Sequence, residues 1–180
     1  MEKNSNTGDF MLYLAIAIYA VAMTVANLLV AQFGPSITPI NAFVLIGLDL
    51  ALRDWLHVRL KMWQMGSLIG ATGLLTFMLN PAAGMIAVAS AAAFSAAAIV
   101  DWTVFAKISG TWLKRANFSN VAGAAVDSLV FPTIAFGVLM PHIVVMQFVA
   151  KVAGGAVWAY VIYKAKDIKN TLIAAYGARQ

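Results

Sequence analysis

The sequence predicts an all-α, polytopic membrane protein of six transmembrane helices, and three observations carry that prediction. Of the 180 residues, 62% are hydrophobic and only 11% charged, whereas soluble domains average about a quarter charged. The apolar residues gather into six stretches close to the ~20 residues that cross a hydrocarbon core. The basic residues collect in alternate connections, as the positive-inside rule requires. Residues 1–180 then form a single six-helix transmembrane domain, with an N-terminal tail of about residues 1–9 and a C-terminal tail of about residues 164–180.

The first helix is expected over Phe10–Val30. It follows a polar stretch holding Glu2, Lys3 and Asp9 and runs through Asn27 without a small-residue cleavage motif, so it reads as a retained helix and not as a cleaved signal peptide. Gly34-Pro35 breaks the chain before a second helix, Thr38–His57, which carries Asp49 and Arg53. The third, Met62–Leu79, bears a stripe of Gly66, Gly70 and Gly73 with Ala71, and ends at Asn80-Pro81. The fourth, Pro81–Ala106, is small-residue rich from Ala87 to Ala98, with Ser90 and Ser95, and stops before Ser109-Gly110. The fifth, Ala116–Leu139, contains Gly123 and Ala124; Pro141 then introduces the sixth, His142–Tyr163, with Gly154 and Gly155. Small residues let helix backbones approach in lipid, so these glycines, alanines and serines are read as packing and not as substrate contacts. The same faces permit a homodimer. The short connections leave no room for a soluble domain.

Orientation follows from charge. Arg59 and Lys61 follow helix two, Lys107, Lys114 and Arg115 separate helices four and five, and Lys164, Lys166, Lys169 and Arg179 follow helix six, while the other connections have no basic residue. Both termini, including Lys3, are therefore expected in the cytoplasm. The net charge of +5 is topological: it suits anionic lipid head groups and needs no nucleic-acid partner. The chain has no cysteine and two histidines, so disulfides, cysteine-based zinc sites and histidine clusters are out of reach. No metal or cofactor is expected. No phosphate-cradling G-x-x-x-x-G-K-[ST] loop occurs, so the chain is not itself an ATPase.

The residues that demand a function are polar ones inside the apolar stretches. Asp49, Arg53, Asp101, Asp127 and Lys151 would each cost about 2.5–3.5 kcal/mol facing lipid, so they must face one another or a wet cavity. Asp49 and Arg53 are four apart and share a helix face, where they are able to pair. Asn120 and Asp127, seven apart, also share a face, with Gly123 and Ala124 between them opening space for a planar ligand. Gln147 and Lys151 repeat the spacing of four, and Asp101 lies beside Trp102 in the cytoplasmic half of helix four. Asn27, with Gln32 near the outer end, adds neutral hydrogen-bonding groups. The bland alternative is that these groups only specify helix packing, since a buried ion pair is weak evidence for stability. That alternative weighs most for Arg53, which is long enough to snorkel, and for Asp101 and Gln147. Asp54, His57 and His142, at helix ends, are read as solvated. Trp55, Trp63, Trp112 and Trp158 read as interfacial belt residues, and Trp102, Phe43, Phe94 and Phe131 as weak candidates for stacking on a ligand.

Six helices split into two groups of three, and an odd number per half makes any duplication an inverted repeat with a midplane site. Asp49 and Asp127 fall at comparable depths in the second helix of each half. This expectation rests on position alone, because the halves share no convincing identity.

The stretch RANFSNVAGAAVDSLVFPTIAFG, from Arg115 to Gly137, resembles the most characteristic segment of the queuosine precursor transporter family, also called the vitamin uptake transporter family. LDLALRD resembles the family's helix-two pattern, an Asp followed four residues later by an Arg, giving Asp49 and Arg53. IVDWTVF gives Asp101, VANLLV gives Asn27 and QFVAKV gives Lys151, while Ser119 and Asp127 match the helix-five serine and aspartate. The chain departs from the pattern before Asp49, where INAFVLIGLD replaces a proline-containing aromatic run, and at Gln147, where some members are acidic. The resemblance implies uptake of 7-cyano-7-deazaguanine or 7-aminomethyl-7-deazaguanine across the bacterial inner membrane for salvage into tRNA queuosine. Asn27, Asp49, Arg53, Asp101, Ser119, Asn120, Asp127, Gln147 and Lys151 are the expected substrate-binding set. Composition and spacing alone reach only a transporter of a small polar solute.

Three other readings compete. A substrate-capturing membrane subunit of a vitamin importer driven by separate ATPase chains has the same six short-looped helices. An intramembrane enzyme acting on lipid or isoprenoid groups would use paired carboxylates on a metal, but no Asp-x-x-Asp or His-x-x-x-His spacing occurs. A structural membrane protein leaves the midplane charges without a reason.

Overall fold

The computed structural model describes the backbone of residues 3–177, and the side chains of residues 9–165 other than those of Asp54 and His57. The solvated roles expected of Asp54 and His57, and the side chains of Glu2, Lys3, Lys166, Lys169 and Arg179, fall outside the described residues. Every element is helical. α1 (Lys3–Phe33) leads through a 3₁₀ turn (Gly34–Ile37), a one-turn α2 (Thr38–Asn41) and a π-helical segment (Ala42–Ile46) into α3 (Gly47–His57). Then come α4 (Met62–Leu79), a 3₁₀ turn (Pro81–Ala83), α5 (Gly84–Lys107), α6 (Trp112–Phe136) and α7 (Pro141–Gly177).

Five helical stretches among the described residues are long and apolar enough to cross a membrane: Asp9–Arg53, Met62–Leu79, Pro81–Lys107, Trp112–Phe136 and Pro141–Ala165. The expected first and second spans are joined in the first of these, which is 45 residues long. It is no single rod. Gly34 has φ +67, a left-handed conformation open to glycine at little strain, and Pro35 follows it. Beyond the turn, Asn41 Nδ2 donates to the Ala26 carbonyl at 3.0 Å, and Asp49 lies beside Tyr19. These partners are spaced almost evenly about residue 34, so α1 and α3 run antiparallel.

Local chemistry sets the other boundaries. Asn80 Oδ1 accepts from the Ala82 amide at 3.1 Å, turning α4 into α5. α6 starts at Trp112, earlier than the expected Ala116, because Thr111 Oγ1 accepts from the Lys114 amide at 3.3 Å and caps the helix. It ends at Phe136, where Gly137 is left-handed. α7 continues to Gly177, past the expected end at Tyr163.

The tightest crossing joins the π segment and the start of α3 to α7. A Cβ on Gly154 would fall on the Phe43 carbonyl oxygen, and one on Gly47 would lie 2.6 Å from the Gly154 carbonyl carbon. Trp158 Nε1 donates to the Val44 carbonyl at 3.0 Å, so this tryptophan, expected in an interfacial belt, also ties the crossing. The glycine stripe expected to pack α4 does not pack. Added Cβ atoms at Gly66, Gly70 and Gly73 meet nothing within 4 Å, and the buried side of α4 is Met65, Ile69, Thr72 and Thr76.

Two apolar clusters lie inside. One holds Tyr19, Met23, Leu50, Leu56, Met65, Ile69 and Phe94; the other holds Val30, Ile86, Ala89, Ala93 and Phe131. Large apolar side chains such as Leu74, Met78, Val88, Val145 and Val149 point outward and are exposed, as lipid-facing surface requires. At the basic end, the Arg59 guanidinium sits 3.6 Å from the Trp55 ring centroid and that of Arg115 4.1 Å from Phe105.

Candidate functional site

Asp127 and Lys151 each lie roughly 15 Å along their helices from the ends nearest Gly137 and Pro141, at 1.5 Å per residue. That is about half a hydrocarbon core. Lys151 Nζ meets Asp127 Oδ2 at 2.5 Å and donates to Gln147 Oε1 at 2.8 Å. Both partners of the ion pair are almost fully enclosed, at 2–3% side-chain exposure. The spacing of four between Gln147 and Lys151 puts amide and ammonium on one face of α7, and α6 supplies the carboxylate across the interface.

A second set of polar groups approaches from α1, α4 and α5. Ser90 Oγ donates to Asn27 Oδ1, and Asn27 Nδ2 donates to Thr76 Oγ1 at 3.3 Å. Thr76 and Thr72 turn their own hydroxyl protons back to the Thr72 and Ile69 carbonyls at 2.9 and 2.8 Å. Thr76 therefore has its acceptor lone pairs free for Asn27.

Asn27 and Ser90 share a narrow cavity with the ion pair. With them, Thr38, Asn41, Asp127, Gln147 and Lys151 provide its polar wall, and Phe94 and Phe131 part of its apolar wall. The cavity is small, about 20 Å³, with room for about one water. Three lining atoms have no hydrogen-bond partner among the described residues: Asp127 Oδ1, Asn41 Oδ1 and Gln147 Nε2. Two are acceptors and one a donor. Buried polar atoms in folded proteins generally find partners, and these three could complement a ligand with two donors and an acceptor.

Nearer the basic end of the bundle lies a second buried cluster. Arg53 Nε is 3.5 Å from Asp101 Oδ2, and Arg53 Nη1 reaches the Phe94 carbonyl at 3.5 Å. The ion pair expected between Asp49 and Arg53 therefore closes instead between α3 and α5. The pair lies against Gly123 of α6, where an added Cβ would stand in ordinary contact, 3.4 Å from Asp101 Cβ and 3.5 Å from Arg53 Nη2. The space expected beside Gly123 for a planar ligand is thus filled by the Arg53–Asp101 pair. Asn120 packs against Gly155, whose added Cβ would lie 3.2 Å from Asn120 Nδ2, and Ser119 Oγ donates to the Ala116 carbonyl at 3.1 Å.

All nine residues of the expected binding set are buried. They divide between two places. Asn27, Asp127, Gln147 and Lys151 line the cavity; Asp49, Arg53, Asp101, Ser119 and Asn120 do not. Gln32 is exposed, as is His142. Phe94 and Phe131, weak stacking candidates, do reach the cavity, whereas Phe43 and Trp102 are exposed to the outside. Sequence reasoning missed Asn41 and assigned Ser90 to packing. It also passed over Thr72 and Thr76, although their spacing of four, in phase with Met65 and Ile69, marks a buried polar line.

A family model described as "putative vitamin uptake transporter" matches residues 6–165. No curated protein and no solved structure matches the chain.

Proposed function

The chain belongs to the vitamin uptake transporter family, and on that premise we propose that it takes up a 7-deazaguanine base, 7-cyano-7-deazaguanine or 7-aminomethyl-7-deazaguanine, for salvage into tRNA queuosine. The observation that carries a transport site is the convergence of Asn27, Ser90, Asp127, Gln147 and Lys151, from four helices, on one cavity at mid-membrane depth. The deazaguanine rests on the resemblance of the Arg115–Gly137 segment and on chemical fit. Its ring edge carries adjacent N–H donors and a carbonyl. Asp127 Oδ1 and Asn41 Oδ1 accept from the donors, Gln147 Nε2 donates to the carbonyl, and Phe94 and Phe131 cover the flat faces.

A bicyclic base is much larger than a cavity of about one water, so helices must separate to admit it. We therefore take transport to proceed by alternating access about this site. The fold-back at Gly34 supports six crossings, and the basic connections support a bacterial inner-membrane orientation with both termini in the cytoplasm. The cavity then lies toward the outside and the Arg53–Asp101 pair toward the cytoplasm. Two inverted three-helix halves fit the matched depths of Asp49 and Asp127.

Calorimetry on the purified protein tests the site. Either deazaguanine is expected to bind, Asp127→Asn to abolish binding, and hypoxanthine, which lacks the exocyclic amine, to bind about 100-fold more weakly or worse. Equal binding of hypoxanthine and deazaguanine would remove this pose. Uptake by vesicles containing this chain alone separates a self-sufficient transporter from the capture subunit of an ATP-driven importer, which would stay inactive without its partners.

A further inference from the structure

We propose that Asp49 is a proton-binding site that couples substrate movement to the proton gradient, an inference that builds on the transport reading above. The argument starts from a count of buried charge. Among the described residues, the enclosed ionisable groups that carry charge are three carboxylates, Asp49, Asp101 and Asp127, and two bases, Arg53 and Lys151. Lys151 is committed to Asp127 at 2.5 Å and Arg53 sits with Asp101 at 3.5 Å. One carboxylate is left over.

That carboxylate belongs to Asp49, which is 0% exposed and whose two oxygens close no short hydrogen bond among the described residues, the Tyr19 hydroxyl being the polar group beside them. The groups that act on it come from every neighbouring helix: Tyr19 of α1, Arg53 of α3, Asp101 of α5 and Asp127 of α6, with Lys151 of α7 bound to Asp127. Two of these are negative, and Arg53, the cation that acts on Asp49, is shared with Asp101. A charge only partly compensated at this depth is expensive. Neutralisation by a single cation is the remedy, and a proton is the cation that requires no shell of ligands. A metal ion is disfavoured by the guanidinium one turn away and by the donor set, since no three acidic, histidine or cysteine side chains are grouped to hold one among the described residues.

Tyr19 equips the site for both states. Its buried hydroxyl, beside Asp49, accepts from a protonated Asp49 and donates to an ionised one. Position supplies the coupling. At the end of the π segment, Ile46 lines the cavity; Asp49 of α3 follows about one turn later, and Arg53 one turn after that. With Asp49 protonated, Asp101 holds Arg53 across the interface and keeps α3 and α5 together at the basic end. When Asp49 releases its proton, its carboxylate competes for Arg53 at the favourable spacing of four, and the pair between helices loosens. The proton enters from the cavity side and leaves at the basic end.

The test uses the full chain, purified and reconstituted in vesicles with radiolabelled 7-cyano-7-deazaguanine. An outside-acid gradient is expected to drive accumulation above equilibrium and the vesicle interior to acidify as substrate enters. Asp49→Asn is expected to reduce accumulation to the level reached without a gradient, and Asp49→Glu to retain gradient dependence. Infrared spectroscopy of the substrate-free protein provides a readout independent of transport: a protonated-carboxyl stretch is expected in the native chain, is expected to be missing from Asp49→Asn, and is expected to weaken in Asp101→Asn, which frees Arg53 to hold Asp49 ionised. If Asp49→Asn does not fold, the native protein still decides the matter by that band and by vesicle acidification. Uptake indifferent to the gradient, or a band that is absent or survives Asp49→Asn, overturns the proposal. A chain that shows the Asp49 band but binds no deazaguanine upholds the proton site and overturns the substrate reading instead.

Discussion

Helices α4 and α7 carry the same kind of pattern, glycines set on an apolar helix, in opposite surroundings. On α7, Gly154 lies against the Phe43 carbonyl and Gly155 against Asn120, while on α4 Gly66, Gly70 and Gly73 meet nothing within 4 Å. The difference is the company the glycines keep. Gln147, Lys151, Gly154 and Trp158 follow one another at steps of four, three and four, so the glycine shares its face with a charge that must be inside. On α4 the same steps connect Met65, Ile69, Thr72 and Thr76, the buried line, and the glycines lie off it. A glycine permits close approach; a polar neighbour on the same face determines whether approach occurs.

The strongest way to break this comparison is to remove the charge from α7. Lys151→Met leaves Asp127 enclosed without its cation, and losing one partner of a buried pair costs about 3–5 kcal/mol. The expected outcome is a large fall in unfolding midpoint in detergent together with loss of deazaguanine binding. Adding Asp127→Asn removes the stranded charge, so the double variant is expected to regain much of the stability and none of the binding. A Lys151→Met protein as stable as the native chain would mean that the charge does not set the inward face.

Gly154→Ala sharpens the same point with a single methyl group. The new carbon has no room beside the Phe43 carbonyl, and backbone cannot step aside as a flexible side chain would. Overpacking of this kind costs about 1–3 kcal/mol, with the upper end expected here because the Trp158 bond to Val44 would stretch as α7 moves out. Denaturant titration reads the loss, and the tryptophan emission of Trp158 is expected to shift with it. An unchanged midpoint would show that α7 slides freely along α3.

Much of this was legible in the sequence, for identifiable reasons. Charges in apolar helices have few stable places to go, so Asp49, Arg53, Asp101, Asp127 and Lys151 were expected inside, and all are buried. Which of them meet was not legible. Spacing on one helix suggested Asp49 with Arg53, whereas the approach of α5 to α3 gave Arg53 to Asp101. The π segment at Ala42–Ile46 left no signature, because it answers to the close approach of α7 and not to its own residues. Ser90 was hidden among the alanines of α5, where a small side chain reads as packing until Asn27 is placed opposite it.

Gly66→Ala is the mildest substitution and the one that probes α4. The site is an exposed helical position with open space around it, so the added methyl displaces nothing, and alanine is favoured over glycine in a helix by up to about 1 kcal/mol. The expected outcome is a midpoint equal to or slightly above that of the native protein in detergent, with unchanged deazaguanine binding. Repeating the measurement in lipid vesicles gives the experiment its edge. If α4 faces only acyl chains, the methyl is as harmless there as in detergent, because fluid chains rearrange around it. A loss confined to the bilayer would require a rigid surface against Gly66, and a second copy of the chain, pressing its own glycine stripe on this one, is the arrangement that such a close contact would fit. The same variant would then lower the dimer fraction in crosslinking, and the contrast between α4 and α7 would become one of where the partner backbone comes from, another chain or the same one.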